Sequence, residues 1–184
     1  MGWWRLRILY TFCVVACVAI AAQAQDSNRR TIVEDTPSLK DIKYVAADQT
    51  HSGFPVPRYV SLKYGRVNGR QGPSLRHPVL WQYQRKGIPL VVVAEMDTWR
   101  KVRDIHGDES WVRTQALSGA RQAVSLGDTP IHAKAKDSSK IRAIATEDTL
   151  FNLGECREDG WCEVKSEGYK GWVQQSLLWG AEPL

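Results

Sequence analysis

The sequence predicts an all-β protein: two tandem copies of one small antiparallel barrel, set behind a cleaved signal peptide and a flexible leader. Three observations carry this. A tryptophan pattern occurs twice. Strand-like segments are short and turns recur about every ten residues, as small barrels require. The N-terminal end has a composition unlike the rest of the chain.

The repeat is the strongest of the three. Trp99-Arg100-Lys101-Val102 is followed by Ser110-Trp111-Val112 and Leu117-Ser118-Gly119. Trp161-Cys162-Glu163-Val164 is followed by Gly171-Trp172-Val173 and Leu178-Trp179-Gly180. From Trp111 and from Trp172 the Leu lies 6 residues on and the Gly 8, and the copies are offset by 61. A period near 60 suits tandem domains better than a solenoid, whose repeats are shorter.

Residues 1–24 are expected to leave the mature protein. Arg5 and Arg7 form a basic start, residues 8–22 are almost wholly apolar, and Ala22-Gln23-Ala24 is a small-x-small cleavage signal, which places the cut between Ala24 and Gln25. The apolar run is shorter than the roughly 20 residues of a membrane span, so no stable span is expected after cleavage. An uncleaved anchor is the competing reading. Val14-Val15-Ala16-Cys17 also resembles a lipobox, but the apolar run continues past Cys17. A periplasmic or secreted location follows. Loss of Arg5 and Arg7 leaves 23 Lys and Arg against 20 Asp and Glu. This small excess is spread along the chain and does not suggest nucleic-acid binding.

Residues 25–56 are polar and aperiodic and read as the leader. Module one spans residues 57–123. Val60, Leu62 and Tyr64 alternate with Ser61 and Lys63, a strand pattern. A Gly- and Pro-rich loop follows Gly65. Residues 79–83 and the β-branched stretch 90–95 are two further strands. Asp97 turns the chain into the Trp99 strand, and Gly107-Asp108 turns it into the Trp111 strand. Residues 114–117 read as one helical turn. Module two spans residues 126–182, after a short linker at 121–127. In it, residues 131–134 take the place of 67–70, 141–145 that of 79–83, and 151–156 that of 89–94.

Cys13 and Cys17 leave with the signal, so Cys156 and Cys162 remain, six apart around a turn-like Arg157-Glu158-Asp159-Gly160. In an oxidising compartment a hairpin disulfide is the expected fate. A zinc site would need further Cys or His nearby, and a catalytic Cys would need a positioned His. On this alignment Cys156 stands at Ala94 and Cys162 at Arg100. The bridge would contribute about 2–3 kcal/mol to a module that lacks the valine run of its neighbour.

Val102 and Val164 are expected to face the barrel cores. Residues three apart on a strand face opposite ways, so Trp99 and Trp161 should point outward, lining a groove or covering a local cluster. Trp179 has Ser118 as its counterpart and is expected to pack on an adjoining surface.

Together these residues resemble the bacterial SH3-like domain family. Arg66-Val67-Asn68-Gly69-Arg70-Gln71-Gly72-Pro73-Ser74 is similar to the family's opening motif, with Gly69 where a hydrophobic residue is usual. The Trp99 and Gly171-Trp172-Val173 segments are similar to its tryptophan hairpins, with Ser110 replacing the Gly in module one. The resemblance implies two five-to-six-stranded SH3-like barrels in an exported protein. It implies a binding protein of the cell envelope that recognises peptidoglycan or its peptides, or else a protein-interaction adaptor in a periplasmic complex.

No catalytic residue, metal site or cofactor is assigned. His51, His77, His106 and His132 are scattered. Candidate ligand contacts are the aromatic residues Tyr64, Trp81, Tyr83 and Trp99, with Arg66 and Arg70 for carboxylates.

Overall fold

A computed structural model describes residues 39–184. The signal segment, the Ala24–Gln25 cleavage position and the leader up to residue 38 lie outside the described residues.

The strands of the described residues form two seven-stranded antiparallel sheets. The first holds β1 (Arg58–Leu62), β2 (Val67–Arg70), β3 (Val79–Tyr83), β4 (Pro89–Met96), β5 (Trp99–Arg103), β6 (Glu109–Arg113) and β7 (Leu117–Ser118). The second holds β8 (Gln122–Ser125), β9 (Thr129–His132), β10 (Ile141–Ala145), β11 (Leu150–Cys156), β12 (Trp161–Ser166), β13 (Tyr169–Gln174) and β14 (Leu178–Trp179). Their strand orders are β3-β2-β6-β5-β4-β1-β7 and β10-β9-β13-β12-β11-β8-β14, the same topology twice. Each helical turn also has its counterpart, Thr114–Ala116 and Gln175–Leu177.

Period-2 alternation assigns the faces. In β4, Leu90 and Val92 enter the first core with Leu62, Val67, Val102 and Val112, while Val91 points the other way and is also fully buried. Val91 joins Val124 and Trp179, with Tyr59, Val93, Ile105 and Leu150 beside them, in a third apolar cluster between the modules. The valine run is therefore continuous because both of its faces are covered. The second core gathers Phe151, Leu153, Cys162, Val164, Val173 and Leu178.

The structure corrects several boundaries. Residues 122–125 are not linker. They form β8, which pairs with β11 and β14 and closes the second sheet. Ala123 and Val124 supply the apolar pair that drives this, one to the core and one to the intermodule cluster. Residues 39–56 are likewise held against the protein rather than free. Val45 and Val56 exchange backbone hydrogen bonds of 2.8 and 3.0 Å, and Val56 is buried in the first core. Leu39 and Ile42 pack on the intermodule cluster.

Register revises the alignment of the copies as well. Val67 faces Tyr83 and Thr129 faces Ala145, while Arg70 and His132 face Trp111 and Trp172. Thus Thr129–His132, not residues 131–134, corresponds to Val67–Arg70. Glu95 faces Arg100 where Cys156 faces Cys162. The turn between β11 and β12 is one residue longer than that between β4 and β5, so the offset between the copies is 62 at Trp99 and Trp161 but 61 on the preceding strand, and Cys156 stands at Glu95 rather than Ala94.

One ladder position is therefore cross-linked in two ways. In module two it carries the Cys156–Cys162 disulfide. In module one, Glu95 Oε1 meets Arg58 Nη2 at 2.5 Å and Arg100 Nε at 3.1 Å, with the Glu95 side chain only 3% exposed. Ser52 completes the site, its N–H donating to Oε2 at 3.0 Å and its hydroxyl to Oε1 at 2.7 Å. Burial works to raise the Glu95 pKa, but the Ser52 and Arg58 hydrogen bonds and the charges of Arg58 and Arg100 outweigh it and hold the carboxyl below its ordinary value.

Candidate functional site

The six expected contact residues of module one separate into three groups. Tyr83 and Trp99 are buried, at 7% and 6% exposure, and are not available to a ligand. The Tyr83 hydroxyl lies 3.2 Å from Ser110 Oγ, and burial raises its pKa. Trp99 lies under the guanidinium of Arg113, 5.6 Å from the ring centroid, so of the two roles open to it the structure selects local packing. Arg70 is engaged in holding its own loop, with Nη1 donating to the His77 carbonyl at 2.8 Å. Arg66 precedes the short β2 and Arg70 ends it, about 13 Å apart along an extended strand.

Tyr64, Arg66 and part of Trp81 remain accessible. Tyr64 is half exposed, with the Lys63 ammonium 5.7 Å from its ring. Trp81 lies edge-on to Tyr83 at 6.1 Å, and its buried Nε1 has no hydrogen-bond partner among the described residues. Opposite Trp81 stands Gly69, where a Cβ would come within 2.5 Å of Ser110 Oγ. Module two makes the converse choice. Ile131 occupies the Gly69 position, and Gly171 occupies that of Ser110, where a Cβ would meet the His132 backbone carbonyl first and Ile131 Cγ2 at 2.6 Å. The two motif departures of module one are one compensated exchange of bulk.

A second surface lies on module two and was not expected from the sequence. Trp161, the counterpart of Trp99, is buried to the same degree and takes the edge of His132 at 5.1 Å. Across the ladder, Trp99 faces Arg113 but Trp161 faces Gln174. Gln174 turns away, donating through Nε2 to Asp137 Oδ1 at 2.6 Å. A cleft of about 610 Å³ opens there, walled by Trp161, Asp159, Gln174, Gln175, Ser176 and Glu182. The Arg113/Gln174 difference is readable in the repeat, since the two residues are 61 apart.

These features define a pair of SH3-like barrels fused through an apolar seam. The bacterial SH3 domain family matches the chain over residues 63–119 and again over 128–180, and the chain belongs to that family. No curated protein matches it. Seven chains of solved structures do. NlpC2 from Trichomonas vaginalis is similar at 14% identity over 67% of this chain and 48% of its own, with a TM-score of 0.32. NlpC1 from the same organism is similar at 14% identity over 67% and 45%, with a TM-score of 0.31. The chain spans about half the length of these two structures. Among the described residues no helix is long and apolar enough to cross a membrane.

Proposed function

We propose that this is a non-catalytic binding protein of the cell envelope, periplasmic or secreted, that recognises peptidoglycan or its peptides. The observation that carries the reading is the membership of both barrels in the bacterial SH3 domain family. The Cys156–Cys162 disulfide supports an oxidising compartment. On module one, Tyr64, Arg66 and the open part of Trp81 offer aromatic surface and an exposed guanidinium, the chemistry that suits a short peptide ending in a carboxylate. The test is co-sedimentation of the oxidised protein with purified sacculi, with a Tyr64→Ala/Arg66→Ala variant beside it. Binding by the wild type and its loss in the variant is the expected result.

A specific observation favours a second reading, an adaptor that binds another envelope protein. In both sheets the edge strand carries exposed aliphatics: Val79 and Leu80 on β3, Ile141 and Ile144 on β10. Such edges suit pairing with an added strand. Wild-type protein that stays in the supernatant would move this reading ahead.

A further inference from the structure

The β2–β3 loop, residues 71–78, and the β9–β10 loop, residues 133–140, share one backbone and differ in chemistry. Three backbone hydrogen bonds recur in register. Gln71 N–H donates to the Pro78 carbonyl as Ala133 does to Lys140, Ser74 to Gly72 as Lys136 to Lys134, and His77 to Ser74 as Ser139 to Lys136. On this frame Lys134 stands at Gly72, Lys136 at Ser74, Lys140 at Pro78 and Arg142 at Leu80. All four cations are exposed. The ion pairs of module two among the described residues, Arg157 with Asp159 and Lys170 with Glu163, include none of them. Arg142 lends only Nη1, to the Lys170 carbonyl, and the acid of the loop, Asp137, is already held by Gln174. These cations lie beside an open edge. β10 ends its sheet, and among the described residues its backbone pairs only with β9. The break in register between Ile141 and Ala143 brings Ile141 and Ile144 to one face, opposite His132 and Pro130. They are 47% and 64% exposed. In module one the Ile144–Pro130 position is held by Gln82 and Asn68, two amides that satisfy each other at 2.9 Å.

We propose that the β10 edge takes up an acidic, extended segment of another protein as an added strand, with aliphatic side chains of the segment on Ile141 and Ile144 and its carboxylates on Lys134, Lys136, Lys140 and Arg142. This gives the adaptor reading its edge and the chemistry of its partner, and it rests on that reading. Main-chain hydrogen bonds to the open edge supply affinity, and alternate side chains supply specificity. The charges select the occupant. A second copy of this chain is excluded, because two β10 edges side by side would set four cations against four. A basic segment is excluded for the same reason. The β3 edge suits an acidic partner less, since Gly72, Ser74, Pro78 and Leu80 stand where β10 and its loop carry cations.

The probe is the peptide acetyl-EVEIEVE-amide, titrated into oxidised, ¹⁵N-labelled protein while the backbone amide resonances of residues 141–145 are followed. Its comparisons are the same peptide with lysine for every glutamate, with serine for every aliphatic residue, and with backbone N-methylation at either the aliphatic residues or the glutamates. The expected result is a saturable shift of the β10 amides with the parent peptide. Binding should be roughly tenfold weaker, or more, for the lysine and serine peptides. One N-methylated peptide should lose binding and the other keep it, because alternate N–H groups of an added strand face the edge. Lys140→Glu/Arg142→Glu changes only exposed side chains and should lose about tenfold in affinity while retaining a folded spectrum. Ile144→Gln, which installs the residue of module one, should weaken binding severalfold. Equal binding of the lysine or serine peptide, full binding by both N-methylated peptides, or unchanged binding by the double variant would each overturn the assignment. The sacculus assay reads the adaptor proposal separately: protein that stays in the supernatant and yet ignores the parent peptide overturns the β10 assignment and not the adaptor reading.

Discussion

Trp179→Ala tests whether the two barrels form one cooperative structure. Trp179 is 8% exposed and packs edge-on against Tyr59 at 5.6 Å, with Val91 and Val124 in the same cluster. Tyr59 comes from β1 and Val91 from β4, so the indole of module two is covered largely by module one. A buried tryptophan removes roughly 200 Å² from water, and at about 25 cal/mol per Å² this is ~5 kcal/mol. Compactness of the unfolded chain and the retained Cβ reduce the figure, while the cavity left behind adds to it, so about 3–4 kcal/mol is expected. For a chain of this size that corresponds to a fall of roughly 10 °C in melting temperature. Calorimetry reads both the fall and its form. The wild type should melt in one transition, and Trp179→Ala should separate the two modules into two. Tyr59→Phe is the mild companion: it keeps the packing and removes the 2.7 Å hydrogen bond to Glu182, at a cost of about 1 kcal/mol. A Trp179→Ala protein that melts within about 2 °C of wild type, still in one step, would refute the intermodule role.

Two further perturbations address the cross-links and the packing exchange. Glu95 and Glu109 are both held below the ordinary carboxylate value of 4.5, by hydrogen bonds and opposite charges that outweigh burial. For a lowered pKa, the stabilisation is present above the unfolded value and is lost as pH falls through the folded one, so urea stability should drop progressively below about pH 4.5. Glu95→Gln should flatten that drop and cost about 3 kcal/mol at neutral pH, because Arg58 and Arg100 lose a buried partner; an unaltered pH profile would count against this. Gly69→Ile should destabilise module one by several kcal/mol, and Ser110→Gly in the same chain should restore most of the loss by reproducing the Ile131/Gly171 pair. A double-mutant cycle in urea measures this coupling, and purely additive costs would disprove the compensation.

The fold was legible because its signals are local. Alternation in β1, the β-branched run of β4 and the paired tryptophans of β5 and β6 each state a strand and a face without reference to distant sequence. What escaped was set by partners far along the chain. Residues 39–56 lack periodicity, so they read as leader. Yet Val56 fills the first core, and Ser52 donates twice to Glu95, 43 residues away. Gln122–Ser125 is too short to declare itself, and its role as β8 depends on β11 and β14 being present to pair with it. The one-residue error at Cys156 arose because the hairpin turn that follows it is one residue longer than its counterpart after Glu95, a difference that strand pattern does not reveal.

The candidate site was less legible because a residue type does not say which face it will serve. Tyr83 and Trp99 looked like ligand contacts and are buried, since an outward face on a barrel strand can still be covered by a neighbour such as Arg113. The repeat itself carried the more useful information. Where two copies share a backbone, a difference at one ladder position is a controlled substitution. Glu95–Arg100 against Cys156–Cys162 exchanges a buried ion pair for a covalent bond. Gly69 with Ser110 against Ile131 with Gly171 exchanges bulk across a strand pair. Both exchanges preserve packing, because each loss is matched by a gain on the facing strand. Arg113 against Gln174 exchanges a cation over Trp99 for an amide that donates to Asp137, while Trp161 stays as buried as Trp99, with His132 packed against it. A difference compensated within the module is accounted for by stability alone.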